Sequence, residues 1–308
     1  MNKVSVLGSI NIDVVVKVED MPYVGQTIIG ESLQHIPGGK GANQAVASKR
    51  LGSEVIMIGK TGMDDSGRNL INQLSNEGIN TDYIFKDIAS STGTAIITVN
   101  NHGDNSIIVI PGANMTINES ELNLARAGIK GCDVLIAQFE TPIAITTNAF
   151  KFARDNNIIT ILNPAPAKAV PKELLRYTDI IIPNETEAAE LCSLEKVTEE
   201  NLEGVGKYFI EKGVKFAIIT LGDKGAAIIG KEDFEIIPAI KVKAVDTTAA
   251  GDTFIGALAS KLDRSNLSFS SIKEAVAFGN KASSIAVQRP GAQPSIPTLE
   301  ELQYSKKI

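Results

Sequence analysis

Six short, nearly uninterrupted apolar runs rich in β-branched residues recur along the chain: VSVLG at 4–8, EVIMIG at 54–59, DVLIAQ at 133–138, IITIL at 158–162, DIIIP at 179–183 and FAIITLG at 216–222. A strand with one face in water alternates apolar and polar residues, so continuous runs of this kind need cover on both faces. Helical patterns lie between them, at 42–51, 65–76, 118–128, 143–155, 198–212, 250–262 and 270–287. Strands alternating with helices predict an α/β fold, a doubly wound and mostly parallel sheet flanked by helices. With 308 residues and 43% hydrophobic content, the chain is long enough to bury such a sheet in one domain spanning 1–308.

Two segments break the alternation. Residues 12–39 and 93–114 contain strand runs and turn signals with no helix between them. In the second, NNHGDN separates two β-rich runs and reads as a hairpin. These excursions predict a small β-sheet projecting from the main unit as a lid. Its strands would expose edges and an apolar face unless a second chain covered them, so a homodimer through the lid is expected.

A formal charge of −6 argues against a nucleic acid or an anionic membrane as partner. Cys132, Cys192, His35 and His102 stand apart from one another, which leaves neither a zinc site nor a disulfide framework. No apolar stretch approaches membrane-spanning length, and MNKVSVLGSINID enters a strand pattern directly; a cytoplasmic protein is expected.

Two nucleotide motifs fail. GAAIIGKE at 225–232 has Walker-like spacing, but Glu232 stands where Ser or Thr is required and AAII is strand-like. No G-x-G-x-x-G follows the first strand. A third candidate is more informative. In VDTTAAGDTFIGAL at 245–258, Phe254, Leu258 and then Leu262 repeat at helical spacing, which starts a helix near Ala250 or Gly251 with Asp252 in its first turn. A helix start leaves unpaired amides, and small residues let an anion approach them. By itself, Asp252 reads first as a dipole-stabilising acid with no chemical role. PGGKGANQAVASKRLG at 37–52 is a second glycine-rich helix start, carrying Lys40 and Asn43. GSINID at 8–13 sets Asn11 and Asp13 just after the first strand, where open α/β sheets place ligands. PNETEAAEL at 183–191 spaces Asn184 and Glu187 as either a capping box or a hydrated-metal site.

GGKGANQA, PNETE, TLGDKG, DTTAAGD and GAQPS, in that order and over nearly the whole chain, resemble the ribokinase-like (PfkB) family of carbohydrate kinases. The resemblance implies ATP-dependent phosphorylation of ribose at its 5-hydroxyl, with Mg²⁺ and an activating monovalent cation, K⁺. It also implies a lid that clasps the lid of a second subunit. Related acceptors are deoxyribose, fructose or a nucleoside, although 5% aromatic content and no Trp offer little to stack on a base. A non-catalytic sugar- or nucleotide-binding module is the remaining alternative, and the intact Asp252 and Glu187 speak against it.

By position, the resemblance makes Asp252 the base and the amides of Ala249, Ala250 and Gly251 the anion hole. Asn11, Ile12, Asp13, Gly39, Lys40, Gly41, Ala42, Asn43, Glu140 and Asp252 match sugar-contacting positions. Asn184, Thr220, Leu221, Gly222, Asp223, Lys224, Gly225, Gly251, Asp252 and Asn280 match the nucleotide site, with Glu187 at the hydrated Mg²⁺. Asp246, Thr248, Ala286, Arg289, Gly291 and Ser295 match the monovalent-cation loop, several through carbonyls, with Asp246 expected as a buried carboxylate among them. One departure stands out: the chain reads A-A-G-D where many relatives read G-A-G-D, a change expected to be tolerated at Ala249.

Overall fold

The structure is a computed structural model and describes residues 1–304. The chain opens with β1 (Lys3–Leu7), β2 (Asn11–Lys17), β3 (Ser32–Gly38), α1 (Lys40–Arg50), β4 (Glu54–Gly62), α2 (Asp65–Asn76) and β5 (Asn80–Asp87). It continues through β6 (Gly93–Val99), β7 (Asn105–Ile110), α3 (Glu119–Lys130), β8 (Val134–Ala137), α4 (Ile143–Asp155), β9 (Ile159–Leu162) and α5 (Lys172–Arg176). Then come β10 (Ile180–Ile181), α6 (Glu185–Leu191), α7 (Leu202–Glu211), β11 (Phe216–Thr220), β12 (Ala226–Ile229) and β13 (Phe234–Ile237). The last helices are α8 (Ala250–Lys261), α9 (Phe269–Ala286) and α10 (Leu299–Tyr304).

Among the described residues, nine strands form the main sheet in the order β13-β12-β11-β10-β9-β8-β1-β4-β5. All neighbours run parallel except β11–β12 and β12–β13, which are antiparallel. The six apolar runs all became strands of this sheet. Their alternate residues fill two cores. Val4, Val6, Ile136 and Ile161 pack with α1, α8 and α9, whereas Leu7, Leu135, Leu162 and Ile219 pack with α3, α4 and α7. Continuous hydrophobicity is the consequence of cover on both faces.

Two edge strands escaped the sequence reading. β5 and β13 alternate exposed with more covered residues, Ile84 being buried in β5, because an edge strand has only partial cover and carries polar residues. The AAII of the failed Walker-like match is β12, as its strand character indicated.

The two excursions form a second sheet, ordered β3-β2-β6-β7. β2 and β6 pair in parallel, while β6 and β7 form the predicted antiparallel hairpin. β7 is exposed along its whole length, with Ile107, Ile108, Val109 and Ile110 between 44% and 61% accessible. Asn114 fastens the root of this sheet: its Oδ1 accepts from Ile10 N–H at 2.9 Å, and its Nδ2 donates to Asn11 Oδ1 at 2.7 Å.

Candidate active site

The sheet order reverses between β1 and β8: the chain runs outward through β4 and β5, then returns to the other side of β1. A crevice opens at the carboxyl ends of strands at such a switch point. A cavity of about 200 Å³ lies at the carboxyl ends of β9, β10 and β11, lined by Lys40, Asn163, Asn184, Glu187, Thr220 and Asp252, among others.

α8 begins at Ala250, where the Phe254, Leu258 and Leu262 spacing placed it, and Asp252 sits buried in its first turn. Asn43 Nδ2 donates to Asp252 Oδ2 at 3.0 Å, and Gln44 Nε2 donates to Asp252 Oδ1 at 2.9 Å. A carboxylate only accepts, so Asn43 turns its NH₂ inward. Its own Oδ1 is buried and has no partner among the described residues.

Ahead of the helix, Ala249 adopts a left-handed conformation with φ 57° and ψ 11°. This turn leaves the N–H groups of Ala249, Gly251 and Asp252 without acceptors among the described residues. Ala250 departs from the expected trio, since its N–H closes the turn on Thr247 O at 3.2 Å. A β-carbon at Gly251 would meet nothing within 4 Å. Open space beside free helix-start amides suits a phosphoryl group.

Charge concentrates around this point. Burial first, and then the neighbouring carboxylates Glu140 and Asp252, push the Asp13 carboxyl up to about 6. Burial works against the Lys40 ammonium, but Asp252, Glu140 and Glu187 outweigh it and hold its pKa above the ordinary value. Glu140 accepts from Ser9 Oγ and, at 3.2 Å, from Lys40 N–H. Glu187 is raised by burial and by Asp252, against the lowering effects of the Asn184 N–H and Lys40.

Asn184 and Glu187 form a capping box at the head of α6: Asn184 N–H donates to Glu187 Oε2 at 2.9 Å, and Glu187 N–H to Asn184 Oδ1 at 2.8 Å. Both also line the cavity. The two readings of this pair are therefore compatible, because Glu187 Oε1 has no partner among the described residues and remains free to accept.

Most of the other expected residues do not line this cavity. Side chains alternate along a strand, so Ile12 faces away from Asp13 and packs against the main core. Ala42 is core as well, though its N–H donates to Ser9 O at 2.9 Å. Gly39 caps α1 at φ 89°, and Gly41 is buried behind it. Of the 220–225 turn, Thr220 lines the cavity, whereas Leu221 and Lys224 line a separate hollow and Lys224 reaches Glu199 at 3.3 Å. Gly222 and Asp223 are exposed, and Gly225 is buried. Asn280 donates to the carbonyls of Ile237 and Pro238 at 3.0 and 3.2 Å, fastening the chain after β13.

The cation loop differs from expectation in three respects. Asp246 is half-buried, not buried, in a 241–248 segment whose other residues are exposed. Thr248 and Gly291 donors outweigh its partial burial and hold its carboxyl below the usual range. The Ala286 carbonyl is engaged by Arg289 N–H, and the Arg289 side chain turns to Glu301 at 2.6 Å. Ser295 Oγ bonds locally to Ala292 O at 2.8 Å. Asp246 nevertheless joins the two halves of the loop, accepting from Thr248 N–H and Gly291 N–H, both at 2.8 Å. The carbonyls of Thr248, Arg289, Gly291 and Ser295 accept no hydrogen bond among the described residues, and such a donor set fits a large monovalent cation.

Sequence reasoning missed Ser9, Gln44, Gln138 and Asn163. A signal existed for Gln138 and Asn163, each a polar residue directly following a buried strand run.

A doubly wound sheet whose carboxyl-end crevice holds a buried carboxylate beside free helix-start amides defines a phosphotransferase-like α/β protein. Comparison with known proteins makes the class specific. The profile described as "pfkB family carbohydrate kinase" matches residues 1–299, and the chain belongs to that family. It is 44% identical over 302 residues to the ribokinase of Staphylococcus aureus (strain COL), covering 98% of each chain. The ribokinase of Haemophilus influenzae is 41% identical over 297 residues, covering 96% of each. The structure of Arabidopsis thaliana ribokinase complexed with ribose and ATP superposes with a TM-score of 0.90 at 30% identity, covering 100% of this chain and 99% of that one.

Proposed function

We propose that this chain transfers the γ-phosphoryl group of ATP to the 5-hydroxyl of D-ribose, giving ribose 5-phosphate and ADP. The observation that carries this reading is Asp252, held by two amide donors at the head of α8. Asp252 receives the hydroxyl proton as the new O–P bond forms and the bond to the β–γ bridging oxygen breaks. The N–H groups of Ala249 and Gly251 steady the charge on the transferring group, as does Lys40. Asp13, Glu140, Asn11 and the unpartnered Asn43 Oδ1 offer acceptors and donors to a polyhydroxylated acceptor. The 220–225 turn and Asn280 flank the nucleotide.

Among the described residues no cluster of three His, Cys, Asp or Glu forms a metal cage, which suits Mg²⁺ held through water and substrate phosphates beside Glu187. Bound there it would neutralise phosphate charge, and the Asp246-loop carbonyls would hold K⁺ beside the turn ahead of α8.

We read the chain as one kinase unit, 1–308, with the second sheet as a lid that excludes water from the crevice. The exposed apolar strand β7 favours a homodimer through that lid; light scattering at micromolar concentration should give twice the chain mass. No described helix is long and apolar enough to cross a membrane, and the thiols of Cys132 and Cys192 are free. The free thiols support our reading of a cytoplasmic enzyme. ADP release measured across pentoses, hexoses and nucleosides tests the assignment. Ribose should give the highest kcat/KM, and a clear preference for deoxyribose, fructose or a nucleoside would replace it.

A further inference from the structure

Gln44 approaches Asp252 from α1, one residue beyond Asn43. Besides its bond to Asp252 Oδ1, its Nε2 lies 3.1 Å from Asn163 Oδ1, whose own Nδ2 donates to Ile182 O at 3.0 Å. Gln44 Oε1 accepts from Gln138 Nε2 at 2.6 Å, at the carboxyl end of β8. Gln44 and Gln138 are both completely buried.

The direction of this chain is dictated from one end. A carboxylate offers no proton, so Gln44 turns its NH₂ to Asp252 and leaves its oxygen for Gln138, which must then present its own NH₂. As a consequence, Gln138 Oε1 has no partner among the described residues. It lies against the α-carbon of Gly8, where a β-carbon would collide with it. Reversing both amides would give that oxygen a donor but would set Gln44 Oε1 against the carboxylate. The network thus leaves an oxygen unsatisfied in order to keep a donor on Asp252.

We propose that Gln44, backed by Gln138, is a positioning residue that holds the Asp252 carboxylate towards the acceptor hydroxyl. This rests on Asp252 receiving the hydroxyl proton, as proposed above. The other charges that act on this point are Lys40 at the start of α1, Asp13 on β2 and Glu187 on α6, together with Glu140 after β8. All of them remain in every variant below, so changes are attributable to the amides.

The test uses steady-state kinetics against pH. Gln44→Met keeps the volume and removes the donor; kcat should fall about tenfold or more with the nucleotide KM within about twofold. Gln138→Met should lose less. The double variant should be no worse than Gln44→Met, because Gln138 acts through Gln44. Gln44→Glu sets a second carboxyl against Asp252, and the pair should share a proton. The acidic limb of kcat/KM should then move up by about one pH unit or more, a response that a purely structural side chain would not produce.

A Gln44→Met kcat within about twofold of the parent overturns the proposal, as does a Gln44→Glu acidic limb superimposable on the parent's. If Gln44→Glu does not fold by circular dichroism, the two methionine variants and their double decide alone, and additive losses count against the relay. Asp252→Asn separates the two readings. Turnover within a few-fold of the parent means that the proposed role of Asp252 itself fails. A loss of about 10²–10⁴-fold there, with no effect at Gln44, sinks only the positioning role.

Discussion

A β-carbon at Gly256 on α8 would lie 2.5 Å from the Ala47 methyl on α1, and within 2.8 Å of Ser48 N and Gln44 O. The two helices therefore meet backbone to backbone, and this closeness brings Asn43 and Gln44 against Asp252. Gly256→Ala would gain about 1 kcal/mol of helix propensity. Overpacking at a rigid contact costs about 1–3 kcal/mol and should win. We expect a lower urea midpoint and reduced kcat; a variant both more stable and fully active would break the proposed link between packing and site.

Ala249 holds a left-handed conformation, φ 57°, that costs a residue with a β-carbon about 1–2 kcal/mol. Glycine would remove this but restore about 0.4–1 kcal/mol of chain entropy to the unfolded state. Ala249→Gly should therefore be more stable by about 0.5–1 kcal/mol, read from denaturant unfolding at constant m-value. A destabilised variant would mean that the alanine methyl packs usefully.

Asp13 carries a carboxyl pushed up to about 6 from 3.8 by burial and by Glu140 and Asp252. A raised folded-state value means that the folded protein holds the proton more tightly than the unfolded chain. Its stabilising contribution is complete below about pH 4 and is lost as pH rises through about 6. Asp13→Asn should accordingly be more stable than the parent at pH 8, by about 1–3 kcal/mol, and lose that advantage towards pH 4. Calorimetric titration should show weaker ribose binding with nucleotide binding unchanged. Equal stability of the two proteins at pH 8 would show that the carboxylate is better solvated than its surroundings suggest.

Asp246 ties Thr248, two residues on, to Gly291 across the loop, and four nearby carbonyls lack donors among the described residues. K⁺ should raise both the melting temperature and the turnover above their values in Na⁺ or a bulky organic cation at equal ionic strength. Asp246→Ala should erase both differences. Identical melting and activity in all three salts would leave the loop a purely structural turn.

The parallel sheet was legible in the sequence because periodicity is a local consequence of cover on both faces. The start of α8 was legible for a similar reason, since the apolar spacing from Phe254 to Leu262 marks the helix and the small residues before it mark its head. β5 and β13 were not, because edge strands alternate in a way that loops also do. What surrounds Asp252 was decided by tertiary structure. Asn43 lies 209 residues away in sequence, and Gln138 and Asn163 reach the site only because β8 and β9 follow β1 in the sheet order. Ile12 and Ala42 point into the core because of the face each presents, and Asp246 is half-exposed because the segment around it lies at the surface. Residue type and spacing act through backbone hydrogen bonding within a few residues, whereas burial and side-chain convergence depend on which distant surface closes over a position.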